Sequence, residues 1–296
     1  MSVIGFGAWE AGGDAWGANP SDGDVIGAMR AAFDAGMSWI DTAEVYGNGV
    51  SESFVGRAVG GRRDEVLIAT KVAPADEGSG FRPKEIRRAC DASLARLGIE
   101  TIDLYQLHWP DPLGTPVEES WGAMGELVNE GKVRFVGVSN FDRELIERCE
   151  AIRHVDSLQQ ELSLLRLEDR ELIRWCGGHG TGVVSYSPLA AGMLTGAFDR
   201  ERALTIEDWR RDEAGGPFST ARVDASLAIV DAMRPIASRL AVGVAQLSLA
   251  WNVAQPGVTS AIAGSRDEDH TRANAAAGDL ELDAATLEDI ETLLSA

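Results

Sequence analysis

Short apolar runs alternate with longer amphipathic segments along almost the whole chain. Eight apolar runs are predicted to be strands, and they cover residues 3–6, 38–41, 65–71, 102–108, 133–138, 156–159, 182–186 and 258–262. In the segments between them, apolar residues recur at helical spacing. The predicted helices cover residues 22–35, 51–59, 83–97, 116–130, 142–153, 170–176, 223–240, 243–253, 267–277 and 283–294. Repeated strand–helix alternation is typical of a parallel sheet covered by helices.

Helix start and stop signals agree with this alternation. Residues 115–118, T-P-V-E, are predicted to form a capping box with proline at the first helical position. Gly36, Gly98 and Gly131 directly follow three of the predicted helices, as glycine commonly does at a helix C-terminus.

The alternation is interrupted once, after the seventh strand. Residues 199–220 are polar, charged and glycine-containing, with Trp209 in the middle, and so long an excursion is usually functional or mobile. No reversal or composition break divides the chain. We therefore predict one domain over residues 1–296, an α/β fold consisting of a single (β/α)8 TIM barrel with a long loop after strand 7 and a C-terminal helix. An open doubly wound sheet is the alternative.

Charge and cysteine content limit the classes of partner. The formal net charge of −20 disfavours nucleic acid and anionic membranes, and it means that any bound phosphate needs a local basic site. Three cysteines without a C-x-x-C spacing suit free thiols in a reducing cytoplasm. The first residues resemble no signal peptide, and no run reaches the ~20 apolar residues of a membrane span. We expect a cytoplasmic protein that binds a small molecule; the oligomeric state is not predicted.

Titratable residues stand at or after the carboxyl ends of three successive predicted strands. Asp41 ends the second strand, Lys71 the third and His108 the fourth, and Tyr46 follows Asp41 in the next loop. In a (β/α)8 barrel the ends of different strands meet on one face, where catalytic residues lie. We therefore expect these four side chains to converge, although each taken singly could be structural.

Such a group would favour proton donation to a carbonyl oxygen. A lysine ammonium within about 4–6 Å of a phenol lowers its pKa, and a carboxylate beside the lysine keeps it charged. A histidine can orient the carbonyl by a hydrogen bond. A proton delivered to oxygen requires a hydride delivered to carbon, which no side chain supplies, so a nicotinamide cofactor is implied.

Seven motifs in order make the chain resemble the aldo-keto reductase family over nearly its whole length. They are D-T-A-E-V-Y-G-N-G-x-S-E, I-A-T-K, L-H-W-P, V-G-V-S-N-F, L-Q-Q-E, S-Y-S-P-L and A-I-A-G-S-R. The resemblance implies reduction of an aldehyde or ketone, such as a sugar or a small carbonyl compound, with NADPH. It implies Tyr46 as the acid, Lys71 and Asp41 as the residues that tune it, and His108 as the orienting group.

The resemblance also implies a set of cofactor contacts. Ser139, Asn140 and Gln159 would bind the nicotinamide carboxamide, and Gln159 is preferred to Gln160 because the family pattern is Q-x-E. Tyr186 would stack on the nicotinamide ring, and Ser187 and Leu189 would lie along the pyrophosphate. Without the family, a core aromatic is an equal interpretation of Tyr186.

The end of the eighth strand is the predicted anion site. Gly264, Ser265 and Arg266 precede a helix N-terminus, which favours an anion, and Arg266 can pair a 2′-phosphate. His270 and Asn274 would lie near the adenosine end. The sequence departs from the family here. Ala263 stands where proline is frequent, and His270 stands where glutamine or arginine is frequent. Two acidic residues, Asp267 and Glu268, directly follow Arg266 and could weaken a phosphate site. We favour NADPH, with NADH less favoured.

Aromatic residues are predicted to line the substrate pocket. In the resemblance Trp9 falls at a pocket wall, joined by Trp109, while Trp16 is expected to pack in the core or as a lid. Glu10 stands where the third glycine of a dinucleotide fingerprint would be, so G-F-G-A-W-E does not indicate a Rossmann domain.

Two other functions remain open. The four histidines show no H-x-H or H-E-x-x-H spacing, which disfavours a metal hydrolase, and we expect no metal. A nicotinamide-binding regulatory or partner subunit with little turnover is the alternative, because fold does not determine function.

Overall fold

The structure, a computed structural model, describes residues 1–13 and 21–295 and contains a closed parallel barrel. Each strand pairs with the next, and the first pairs with the eighth. The strands are β1 (Ile4–Gly7), β2 (Trp39–Asp41), β3 (Leu67–Val72), β4 (Ile102–Leu107), β5 (Val133–Ser139), β6 (Ser157–Glu161), β7 (Gly182–Tyr186) and β8 (Val258–Gly264). The predicted TIM-barrel fold is confirmed, with the long loop after strand 7 and the C-terminal helix. Trp16 lies outside the described residues.

Amphipathic helices surround the barrel and bury their apolar faces against it. They are α1 (Asp22–Asp34), α2 (Val50–Val59), α3 (Pro83–Leu97), α4 (Val117–Asn129), α5 (Arg143–Glu150), α6 (Arg170–Gly178), α7 (Arg200–Leu204), α8 (Trp209–Asp212), α9 (Val223–Arg239), α10 (Val244–Val253), α11 (Glu268–Ala276) and α12 (Ala284–Leu294). None of the helices in the described ranges has the length and apolarity needed to cross a membrane.

The predicted capping box at the start of α4 is wrong. Pro116 is the N-cap residue, and no side chain caps this helix. The N–H of Thr115 instead donates to Asp111 Oδ2 at 3.0 Å, because the aspartate folds the preceding loop into a turn that binds this residue. The helix predicted over residues 142–153 is also shorter, since α5 ends at Glu150.

The segment after β7 is more ordered than its composition indicated. It contains the short helices α7 and α8, which periodicity did not predict. Phe198 and Phe218 pack edge to face with ring centroids 5.0 Å apart. The Arg210 guanidinium lies over both rings, at 5.9 and 5.4 Å from their centroids. A small cluster of its own therefore holds this segment on the barrel rim.

A tryptophan fills the lower barrel interior and leaves the upper end for a site. A Cβ at Gly5 would lie 2.0 Å from the Trp39 ring, so only glycine fits beside it. The Trp39 Nε1–H donates to Ser260 Oγ at 3.0 Å. Trp39 packs with Val184 and Ile262 in a separate buried cluster. Polar side chains at the carboxyl ends of the strands lie above this apolar plug.

Candidate active site

Lys71, at the carboxyl end of β3, is the centre of the polar cluster. Its side chain is fully buried, and Nζ donates to Asp41 Oδ2 at 2.5 Å and to the Thr42 carbonyl oxygen at 2.9 Å. The same ammonium lies 3.5 Å from the Tyr46 hydroxyl. The structure therefore brings together three of the four residues predicted to be catalytic, because β2 and β3 are neighbours in the barrel.

Gln159 holds Asp41 from the opposite side, a contact that sequence reasoning missed. Its Nε2 donates to Asp41 Oδ1 at 2.9 Å, so each carboxylate oxygen has one partner. Gln159 was predicted as a nicotinamide contact, and no local pattern links it to Asp41, which lies 118 positions earlier. Both groups are buried, and a buried carboxylate is stabilised by such hydrogen bonds.

Tyr46 is carried by a loop that packs closely against the loop after β1. Gly47 has a φ of 60°, and a Cβ there would lie 1.9 Å from the Gly12 carbonyl oxygen, so both loops need glycine at this crossing. Burial, and next the Asp41 carboxylate, raise the pKa of Tyr46 well above its usual 10. We expected Lys71 to lower this pKa; the pKa is raised instead, because burial of the phenol disfavours its charged form.

His108 follows β4 and lies beside Tyr46. Its ring stacks on Trp109 with centroids 3.6 Å apart, and its centroid is 5.7 Å from that of Tyr46 in an edge-on arrangement. Burial, and next the charge of Lys71, lower the pKa of His108 well below 6.5, so the ring is neutral at pH 7. Within residues 1–13 and 21–295 its buried Nδ1 has no hydrogen-bond partner.

A second polar group lies next to His108 and joins three strands. Asn140 adopts a left-handed backbone with φ of 61°. Its Nδ2 donates to the His108 carbonyl oxygen and to Ser139 Oγ, both at 3.1 Å. Its Oδ1 accepts from the Tyr186 hydroxyl at 2.8 Å. The structure therefore brings together three of the residues predicted to contact the cofactor, Ser139, Asn140 and Tyr186. Gln159 lies on β6, the strand next to Ser139.

The loop after β7 continues from Tyr186 in an unusual backbone conformation. Ser187 has a φ of 52°, and Ala190 and Ala191 follow with φ values of 48° and 53°. The Leu189 carbonyl oxygen accepts from two backbone N–H groups further along the turn. Arg210 donates to the Ala191 carbonyl oxygen at 3.2 Å, which ties this turn to α8.

The predicted anion site lies where β1 and β8 pair. Gly7 and Gly264 are partners in register, and a Cβ at Gly264 would lie 2.8 Å from the Gly7 carbonyl oxygen. Arg266 Nε lies 3.4 Å from Glu10 Oε2. Sequence reasoning noted Glu10 only as a departure from a glycine fingerprint and missed its place in the site, because pairing of the first and last strands has no local signal.

The other residues predicted at this end differ in exposure. The Ser265 hydroxyl accepts from the Asp267 N–H and donates to its carbonyl oxygen, each at 3.0 Å, and so forms part of the turn into α11. The His270 side chain is 81% exposed, whereas Asn274 is buried. Arg266 is partly buried, Asn274 is buried, and His270 remains on the surface.

Ring contacts connect three tryptophans to Tyr46 and His108. The Trp9 ring centroid is 6.3 Å from that of Tyr46 and 5.1 Å from that of Trp209. Trp109 covers the other side through its stack on His108. The segment after β7 thus brings Trp209 into contact with Trp9, which remains 40% exposed.

These groups together fit a nicotinamide dinucleotide. The glycine pair at β1 and β8 lets the two strands approach closely, since a Cβ at Gly264 would collide with the Gly7 carbonyl oxygen. Hydrogen-bonding side chains at β5 and β6, and an arginine after β8, suit a carboxamide at one end and a phosphate at the other.

The chain is similar to known proteins over almost its whole length. The model of the Aldo/keto reductase family matches residues 3–295. Aldo-keto reductase YhdN of Bacillus subtilis (strain 168) is 34% identical over 99% of this chain and 90% of its own length. The NADH-specific methylglyoxal reductase of Escherichia coli (strain K12) is 30% identical over 95% of this chain and 91% of its own length.

Two solved structures are similar over the whole barrel. The glycerol dehydrogenase AKR11B4 from Gluconobacter oxydans has a TM-score of 0.90 and 30% identity, covering 100% of this chain and 92% of its own. An aldo/keto reductase from Klebsiella pneumoniae in complex with NADP and acetate has a TM-score of 0.76 and 31% identity, covering 98% of this chain and 90% of its own.

Proposed function

This chain belongs to the aldo-keto reductase family of oxidoreductases, and from that premise we propose that it reversibly reduces an aldehyde or ketone to the alcohol with NADPH, with Tyr46 as general acid. One observation carries the proposal. A buried lysine ammonium lies between the Asp41 carboxylate, at 2.5 Å, and the Tyr46 hydroxyl, at 3.5 Å.

Tyr46 is the proton donor in this proposal. Its raised pKa keeps the hydroxyl protonated at neutral pH, so a proton is present to be given to the carbonyl oxygen. The phenolate left behind is stabilised by the adjacent Lys71 ammonium. Asp41 and the Thr42 carbonyl oxygen hold that ammonium in place, and Gln159 holds Asp41.

His108 orients the substrate and does not donate the proton. A neutral imidazole has one N–H donor and one acceptor nitrogen, so it can hydrogen-bond a carbonyl oxygen. Because its pKa is lowered well below 6.5, it carries no extra proton at neutral pH. The stack on Trp109 restricts rotation of the ring and so sets the direction of this hydrogen bond.

Hydride chemistry is supplied by the nicotinamide of NADPH when it is bound. Ser139, Asn140 and Gln159 are proposed to hold its carboxamide. The rest of the cofactor is proposed to be held by Tyr186, Ser187, Leu189, Gly264, Ser265, Arg266, His270 and Asn274. The NADP complex of the Klebsiella relative supports a preference for NADPH, whereas the NADH-specific E. coli relative supports a preference for NADH. We propose NADPH because Arg266 can pair a 2′-phosphate.

The substrate is proposed to bind against an aromatic wall. Trp9 contacts the rings of both Tyr46 and Trp209, and Trp109 stacks on His108. Such rings favour an apolar carbonyl compound or a sugar ring that stacks on an aromatic face.

The test is multiple-turnover oxidation of NADPH by the purified chain with a panel of aldehydes, ketones and aldoses, with the alcohol product identified. We expect many product molecules per protein molecule for at least one substrate. Tight NADPH binding with at most one oxidation per protein molecule would contradict the enzymatic proposal and favour a cofactor-binding subunit. No binding of NADPH or NADH would contradict the cofactor assignment itself.

A further inference from the structure

Glu10 occupies the part of the cleft that an anionic ligand would enter. It lies in a short 3-10 turn (Trp9–Gly12) directly after β1, and its side chain is 24% exposed. Oε2 is 3.4 Å from Arg266 Nε, and Oε1 is 3.4 Å from the position that a Cβ at Gly264 would take. The carboxylate therefore lies over the end of β8, above the paired glycines.

Basic groups surround this carboxylate. Burial raises the pKa of Glu10, while Arg266, Arg210 and His270, in that order, act against the rise. Arg210 is held by Asp208 through two hydrogen bonds, at 2.9 and 2.6 Å. Glu10 thus lies among three basic side chains, two of which also have acidic neighbours, since Asp208 pairs with Arg210 and Asp267 lies 3.7 Å from His270.

We propose that Glu10 is a specificity-determining residue for the adenosine end of the cofactor, and that its carboxylate disfavours a ligand carrying a 2′-phosphate. The inference rests on the proposed function, in which Arg266 binds that phosphate. A 2′-phosphate approaching Arg266 must displace Glu10 from the arginine or remain close to a like charge. NADH has an uncharged hydroxyl at this position, so the repulsion of the 2′-phosphate acts on NADPH alone, while the pyrophosphate is common to both.

The expected effect follows from the charges involved. A phosphate carries up to two negative charges, and a like charge a few ångströms away in a partly buried cleft is weakly screened. Removing the charge of Glu10 should therefore strengthen NADPH binding by about tenfold or more, with NADH changed by less than about twofold.

The variant that tests this is Glu10→Gln, which keeps the shape of the side chain and removes its charge. Dissociation constants for NADPH and NADH are measured by isothermal titration calorimetry on the full chain. Adenosine 2′,5′-bisphosphate and adenosine 5′-monophosphate are titrated beside them, because this pair differs by the 2′-phosphate alone and does not depend on the nicotinamide end. Glu10→Ala is a second variant, in case the amide makes a new hydrogen bond to Arg266.

Glu118→Gln is the matched control. Glu118 forms an ion pair with Arg148, at 2.8 Å, on a different part of the surface. This substitution removes the same charge from the molecule without touching Arg266. It should leave the preference between the two cofactors unchanged, which separates a local effect of Glu10 from the change in net charge.

The outcomes distinguish the inference from the proposed function. A preference for the 2′-phosphorylated member of each pair that rises about tenfold in both Glu10 variants, and not in the control, supports the inference. The inference alone is overturned if the wild type binds NADPH and the Glu10 variants keep its preference between the two cofactors within about twofold. Failure of the wild type to bind either dinucleotide overturns the inference and the proposed function together.

Discussion

At the scale of single residues, the site depends on a lysine that is buried away from solvent and ion-paired. Burial lowers the pKa of Lys71, and its ion pair with Asp41 opposes that shift. A buried ion pair gives little net stability, but removing one partner leaves an uncompensated charge in a medium of low polarity. Asp41 therefore has a structural role besides the catalytic role proposed for it.

Asp41→Asn should lower the free energy of unfolding by about 3 kcal/mol, because it leaves the Lys71 ammonium without its carboxylate. Urea denaturation of the cofactor-free protein measures this loss. Asp34→Asn is the control, since Asp34 pairs with Arg62 at the surface and should cost less than about 1 kcal/mol. Equal losses in the two variants would show that burial of the pair does not determine the cost.

The neutral state of His108 predicts the pH profile of reduction. Its pKa is lowered well below 6.5, and that of Tyr46 is raised well above 10. Neither group changes protonation between about pH 6 and pH 8, so kcat/KM for reduction should be flat over that range. His108→Gln should lower the rate and keep the flat shape. An acid limb near pH 6.5 that is present in the wild type and lost in His108→Gln would contradict the assignment.

At the residue level, positions at strand ends could be predicted from the sequence, whereas side-chain contacts across the barrel could not. The convergence of Asp41, Tyr46, Lys71 and His108 could be predicted, because strand ends and the loops directly after them lie on the same barrel face. The contact of Gln159 with Asp41 and that of Glu10 with Arg266 could not, since they depend on side-chain packing across the closed barrel. The raised pKa of Tyr46 also required knowledge of burial, which sequence does not report.

At the scale of elements, the segment after β7 has the largest difference from expectation. Its helices are four and five residues long, too short for apolar periodicity to appear and too short to be stable alone. Tertiary contacts hold them, namely the Phe198 and Phe218 pair and the Arg210 hydrogen bond to Ala191. This anchoring places Trp209 against Trp9.

Trp209→Ala should raise KM for an aromatic aldehyde by about tenfold, because it removes one wall of the pocket. NADPH affinity should change by less than about twofold. Steady-state kinetics and cofactor titration measure the two effects separately. Trp175→Ala, which removes an aromatic ring packed on Arg143 at the surface, should change neither. A loss confined to NADPH affinity would assign Trp209 to the cofactor instead.

At the scale of the whole molecule, barrel closure creates the site. Pairing of β1 with β8 brings Glu10 to Arg266, and pairing of β2 with β3 brings Asp41 to Lys71. The strand–helix alternation could predict this fold because every unit repeats the same pattern. Closure of the sheet was inferred from the absence of any reversal, and the structure confirms it. Element ends were less predictable, because turns such as that of Asp111 determine them locally.

The most direct test of the central proposal is turnover by Tyr46→Phe beside the wild type, with NADPH affinity measured for both. The phenylalanine ring keeps the packing against Trp9 and removes only the hydroxyl. We predict that kcat/KM falls by at least about a hundredfold, while the NADPH dissociation constant stays within about twofold. Turnover retained in Tyr46→Phe would contradict the assignment of Tyr46 as the acid.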